Sequence, residues 1–273
     1  MEETEDGGKR MKRENIIVKM HDGSSRKIRV ALPTEMKPFE TYPVLYLFDG
    51  QNVFDKADSF AGVIWDVEKA ADQLVREKVI KPLILVAIDN AGDKRLDEYG
   101  PWPFEDELYS SMGQGGEFAA YFAEKIIPLV EDRYPIKRRR EDRALAGSSM
   151  GGLMTAYIGT KYPELFSALG VFSLASWVSE KPFLAMVHEE GNFRDMRFFL
   201  QVGTEESRDK ETGKVDIEDS QIYVNNTLNY LRALLERGAE YKGVSLNIAV
   251  GKTHNEEVWA DFMPQFLEWL SEK

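Results

Sequence analysis

The sequence predicts an α/β domain, a mostly parallel sheet with helices on both faces. Three observations predict it. Strand-like and helix-like segments alternate along most of the 273 residues, as parallel strands joined by helical crossovers require. Several strand-like segments are unbroken apolar runs, the pattern of strands buried on both faces. The third is Gly147-Ser148-Ser149-Met150-Gly151, which fits Gly-x-Ser-x-Gly between one such run and a helical segment. That is the setting of a serine held on a sharp strand-to-helix turn.

Residues 15–20 and 27–32 read as a β-hairpin around the turn His21-Asp22-Gly23. Pro43 to Phe48 is a near-continuous apolar run, hence a central strand. Trp65 to Lys78 has helical periodicity, and Pro82 to Ile88 is a second buried strand. Asp89 to Gly116 reads as a loop rich in Gly, Pro and aromatics; connections that long usually carry function or are disordered. Glu117 to Tyr134 reads as one amphipathic helix. Arg143 to Ala146 reads as a short strand into the serine turn. Leu153 to Ile158 is the helix out of it, stopped by Tyr162-Pro163. Strands follow at 168–172, 197–202 and 244–250, with helices at 220–237 and 256–270. One domain is expected from residue 14 to 273, with residues 1–13 as a disordered tail.

Bulk properties exclude several classes. The net charge is −12, which argues against nucleic-acid and anionic-membrane partners, since both need a basic surface. No stretch reaches the ~18 apolar residues of a membrane span. The first thirteen residues have no apolar block and do not read as a signal peptide, which points to a cytoplasmic protein, or to a secreted one if a leader has been removed. There is no cysteine, so thiolate metal sites and a cysteine nucleophile are excluded. The run Lys137-Arg138-Arg139-Arg140 reads as a solvated loop.

A serine nucleophile at Ser149 needs a general base, and the chain has three histidines. His21 lies in the hairpin turn and His188 between predicted elements, so both read as surface residues. His254 follows a strand and precedes a helix, where catalytic residues gather in parallel sheets. A carboxylate must orient it. The strand ending Gly203-Thr204-Glu205-Glu206 offers two between the serine and the histidine in chain order. Glu206, three residues past the glycine, is preferred to Glu205; Asp209, Asp216 and Asp219 lie outside the strand end. The backbone N–H groups of Met150 and Gln51 are the candidate oxyanion donors, with Gly50 leaving room for substrate. Asp49 competes weakly as an acid because it precedes the serine.

Together these segments resemble the esterase D-like branch of the α/β-hydrolase fold, which includes enterochelin esterases, feruloyl esterases and mycolyltransferases. The resemblance rests on residues 45–52, 95–99, 127–131, 146–152 and 203–206, and on His254-Asn255-Glu256-Glu257-Val258-Trp259. It implies an ester hydrolase with a Ser149–His254–Glu206 triad acting on a small-molecule ester, with no metal or organic cofactor. Many members carry Asp where this chain has Glu206, and His-Gly where it has Asp49-Gly50. The resemblance also brings Arg95 and Glu98 near the site, three residues apart and able to pair with each other. Gly50, Arg95, Trp102 and Trp177 are the candidate substrate contacts, among a wider aromatic set of Tyr99, Phe104 and Tyr109. Two other readings stand beside hydrolysis. One is acyl transfer to an acceptor alcohol; the other is a non-catalytic ligand-binding relative, which would have no need of all three triad residues.

Overall fold

A computed structural model describes residues 11–106, 109–209 and 212–272. Its centre is an eight-stranded sheet. The strands are β1 (Lys12–Lys19), β2 (Ser25–Leu32), β3 (Val44–Leu47), β4 (Ile84–Ile88), β7 (Arg143–Ser148), β8 (Ala168–Phe172), β9 (Arg197–Glu205) and β10 (Val244–Thr253). Their spatial order is β1-β2-β4-β3-β7-β8-β9-β10. The β1–β2 and β2–β4 pairs are antiparallel, and every pair from β4 to β10 is parallel. A two-stranded ribbon, β5 (Phe104–Glu105) with β6 (Ser110–Ser111), stands apart.

Strand periodicity divides the core into two. Val44, Tyr46 and Phe48 join a large cluster on one face, and Leu45 and Leu47 join the other, because successive side chains point to opposite faces. On the first face pack α3 (Gly115–Tyr121), α4 (Ile127–Arg133), α5 (Met150–Lys161), α6 (Glu180–Glu190) and α7 (Ile217–Glu236). On the second lie α1 (Val67–Arg76) and α8 (Glu256–Ser271). The fold is the mostly parallel α/β sheet with helices on both faces that the alternating pattern predicts. Sequence order reverses beside β3, whose neighbours are β4 and β7. Such a switch point opens a crevice at the carboxyl ends of the strands.

Four expectations need correction. Strand β1 begins at Lys12, so residues 11–13 are not tail: Met11 is buried and Arg13 pairs with Glu68 and Asp55. Residues 1–10 lie outside the described residues. The expected helix 117–134 is α3 and α4 joined by a wide turn at Phe122–Ile126 with i→i+5 bonding. Pro128 follows that turn; its ring would crowd the carbonyl four residues back in a regular helix, and a π turn relieves such crowding. The span 89–116 is not featureless, since it holds α2 (Arg95–Tyr99) and the β5–β6 ribbon. Helix α6 is absent from the sequence reading. Its Pro182 falls in the first turn, where proline has no intrahelical bond to lose.

Candidate active site

Ser149 caps α5 directly after β7, with φ 57° and ψ −125°. A non-glycine residue seldom holds a positive φ, and the strain is sustained only by its surroundings. Here they are tight. A Cβ on Gly147 would lie 2.4 Å from the Gly151 carbonyl oxygen, so only glycine lets strand and helix meet. The Ser149 N–H donates to the Phe172 carbonyl at 2.9 Å and extends the sheet by one rung. Met150 opens the helix, so its N–H is among those a helix leaves without an internal acceptor.

The next strand ends complete a row. Ser173 follows β8, Glu206 follows β9 and His254 follows β10. Gln51 follows β3 on the other side of β7. Five adjacent strands therefore deliver five polar residues to one rim of the sheet. His254 reaches Glu206 because β10 slips register. Ala249 pairs with Gly203 but Thr253 pairs with Glu205, so β10 carries extra residues between them, including Gly251 at φ 74°.

The Glu206 side chain is fully buried, and its Oε2 lies 2.6 Å from His254 Nδ1. Its Oε1 accepts from the Gly203 N–H at 2.5 Å and from the Ser173 hydroxyl at 2.7 Å. Glu205 turns outward and pairs with Arg208 at 2.7 Å. A carboxylate only accepts, so the His254 proton sits on Nδ1 and the Nε2 lone pair is left available. His21 and His188 lie elsewhere: His21 packs beside Tyr121, and His188 on α6 is 3.7 Å from Glu236. Asp216 caps α7 by accepting from the Asp219 N–H.

The loop after β3 is held by charge. Asp49 is buried with φ 55°. It takes a bidentate contact from Arg95 at 2.7 and 2.8 Å and a third bond from Asn90 Nδ2 at 2.6 Å. Burial weighs against the Arg95 charge, but Asp49 outweighs it and its pKa rises. The expected Arg95–Glu98 pair does not form; Glu98 pairs with the buried Arg26 instead, at 2.6 Å. Gly50 is buried, and a Cβ there would lie 2.7 Å from the Ile88 carbonyl carbon. Its missing side chain thus serves the close approach to β4. The Asn90 N–H donates to Gln51 Oε1 at 3.2 Å, which ties that loop to β4.

The aromatic residues separate into two groups. Trp102 packs edge-on against Tyr157 at 5.7 Å. Tyr157 lies about 12 Å along α5 from Ser149 at 1.5 Å per residue. Trp177 touches Tyr223 at 6.3 Å and Tyr109 at 6.4 Å, and Tyr223 lies 5.1 Å from the His254 ring. Tyr223 escapes sequence reasoning because its helix lies far from every motif. Its burial pushes the phenol up to about 12. Glu256 is also missed. It accepts from Asn52 Nδ2 at 3.1 Å, and burial, with Asp49 adding, raises its pKa. Among the described residues no group of three His, Cys, Asp or Glu is placed to hold a metal, and no helix is long and apolar enough to cross a membrane.

Residues 20–270 match the family model described as "Putative esterase". YbbA, an uncharacterized protein of Bacillus subtilis (strain 168), is 25% identical over 255 residues, covering 92% of this chain and 94% of that one. A solved ferulic acid esterase superposes with a TM-score of 0.72 at 20% identity, over 96% of this chain and 98% of that chain. A siderophore hydrolase, EstB of Aspergillus nidulans, gives 0.71 at 18% identity, over 95% and 94%. The enterobactin esterase FES of Shigella flexneri gives 0.70 at 20% identity; it covers 95% of this chain, which spans 59% of that protein.

Proposed function

Because the chain belongs to the "Putative esterase" family and is a carboxylic ester hydrolase, we propose that it works through a Ser149–His254–Glu206 triad and a serine acyl-enzyme. The observation that carries this reading is the 2.6 Å contact between His254 Nδ1 and a fully buried Glu206, on the same rim as the strained Ser149. Ser149 Oγ attacks the ester carbonyl while His254 Nε2 takes its proton. The same nitrogen returns that proton to the leaving alcohol. Glu206 keeps the proton on Nδ1 and stabilises the imidazolium as it forms. The N–H groups of Met150 and Gln51 receive the oxyanion. Water, activated by His254, then releases the acid. No step calls on a metal.

Trapping with a fluorophosphonate tests this directly. One adduct should appear by intact mass, and fragmentation of the 144–161 peptide should put it on Ser149. An adduct on Ser148 would shift the elbow by one residue, and an adduct elsewhere would overturn the reading.

Arg95 belongs to the support of the oxyanion loop rather than to substrate, since Asp49 occupies its guanidinium from one edge. The wall nearest His254 is Trp177 with Tyr223. Trp177→Ala is therefore expected to reorder kcat/KM between acetyl and bulky aryl esters. Trp102→Ala should lower all substrates alike and cost about 2 kcal/mol of stability, below the roughly 3–5 typical of a fully buried aromatic, because Trp102 is only partly buried. Substrate panels and melting curves on both variants check the division. If Trp102→Ala reorders the substrates instead, the wall lies on the 89–116 segment.

A further inference from the structure

Ser173 and Trp259 make contacts that the proposed mechanism does not use. Ser173 is fully buried just past β8, with φ 47°. Its N–H donates to the Gln201 carbonyl at 2.7 Å, which fixes the turn. Trp259, 4% exposed on the first turn of α8, donates its indole N–H to Ser173 Oγ at 2.9 Å. An indole N–H can only donate, and a serine hydroxyl has one proton. Ser173 must therefore accept from Trp259, and its own proton points at Glu206 Oε1, 2.7 Å away. The Trp259 ring also meets the His254 ring edge-on at 5.2 Å.

We infer that Ser173 and Trp259 form a positioning relay that orients the Glu206 carboxylate and sets its basicity toward His254. The inference rests on the triad reading above. A buried carboxylate loses its hydration and needs hydrogen-bond donors to remain ionised. Glu206 receives two on Oε1, from Gly203 and Ser173. They pin one oxygen inward and leave Oε2 in line with His254. They also spread the negative charge, so the carboxylate is a weaker base than it would be with one donor fewer. Trp259 acts one step further out. It removes the alternative in which the Ser173 hydroxyl turns away from Glu206. The relay explains why an indole stands five residues after the histidine: the ring packs on His254 while the N–H reaches the strand end beside it.

The test is the pH dependence of kcat and KM on p-nitrophenyl acetate, with melting curves, for the full chain and five variants: Ser173→Ala, Ser173→Cys, Trp259→Phe, Glu206→Gln and the Ser173→Ala/Glu206→Gln pair. In Ser173→Ala, kcat should fall about 10- to 100-fold, by analogy with the loss of a hydrogen-bond partner that orients a metal-ligating side chain. KM should change less than about twofold, because the hydroxyl is buried away from substrate. The acid limb of the profile should move to higher pH by about half a unit or more, since a more basic Glu206 makes the pair hold its proton more tightly. Ser173→Cys keeps a weak donor and should recover part of the rate. The double variant should be no slower than Glu206→Gln alone, because the hydroxyl acts only through that carboxylate. A merely structural role would lower kcat without moving the limb, and its cost would multiply in the double variant; either result overturns the inference. If Ser173→Ala does not fold, Trp259→Phe and Ser173→Cys decide. Smaller shifts of the limb in the same direction support the relay, and unmoved limbs refute it. Wild-type rates in Glu206→Gln would sink the triad reading itself, a result distinct from a silent Ser173→Ala.

Discussion

Ser149→Ala is expected to lower ester hydrolysis by about 10⁴-fold or more, the scale on which loss of a triad nucleophile is felt. The remaining rate would come from the oxyanion donors and substrate binding, which the substitution leaves in place. Stability should barely change. The turn is held by the Gly147–Gly151 contact and by the Ser149 backbone bond to Phe172, not by the hydroxyl. Steady-state kinetics beside a melting curve checks both halves. A variant that loses activity together with its melting transition would mean that the hydroxyl holds the fold, not the chemistry. Ser148→Ala is the internal control. Ser148 ends β7 and is buried, so a dead Ser148→Ala beside an active Ser149→Ala would reassign the nucleophile.

Glu206→Gln should cost nearly as much, about 10⁴-fold, the loss that the equivalent amide replacement causes in a serine-protease triad. The structure supplies the reason. Two donors, the Gly203 N–H and the Ser173 hydroxyl, converge on Oε1. In the variant the amide oxygen must take that place, because an NH₂ there would face two donors. The NH₂ group is then presented to His254 Nδ1, which has to accept. The proton moves to Nε2, the nitrogen that must be free to act as base. Glu205→Gln breaks only a half-exposed pair with Arg208, and such pairs contribute little. Its kcat/KM should stay within about twofold of wild type. Measuring the two variants side by side decides the assignment, and the reverse ranking would move the acid to Glu205.

Much of this architecture is legible in the sequence because it depends on local signals. Unbroken apolar runs mark β3, β4 and β8, and the glycines around Ser149 mark the one turn where strand and helix must touch. Strand-end position then points to His254, chain order to the glutamates at the end of β9, and the spacing from Gly203 to Glu206 rather than Glu205. What stays hidden depends on contacts between distant segments. Arg95 and Glu98 are neighbours in sequence, yet their partners are Asp49 and Arg26, brought by other strands. Gly50 reads as room for a ligand until the backbone of β4 is seen against it. Tyr223 and Ser173 carry no motif at all; they matter only because the sheet sets α7 and β8 beside His254 and Glu206. Helix α6 is hidden for a different reason. A proline within the first turn looks the same in sequence as one that ends a helix.

The row of proposed site residues along β3, β7, β8, β9 and β10 also bears on how the protein can lose activity. No fragment lacking any of these five strands would contain the whole proposed site, and its last component, His254, arrives only with the outermost strand. Turnover is then a gauge of cooperative integrity. In a denaturant titration activity should vanish no later than the tertiary signal, with no active truncated species. Peeling β10 alone from the sheet edge should silence the enzyme while most of the core is still intact. Pairing strands so far apart in sequence is slow, so regain of activity on refolding should come late, after the bulk of the helical signal has returned.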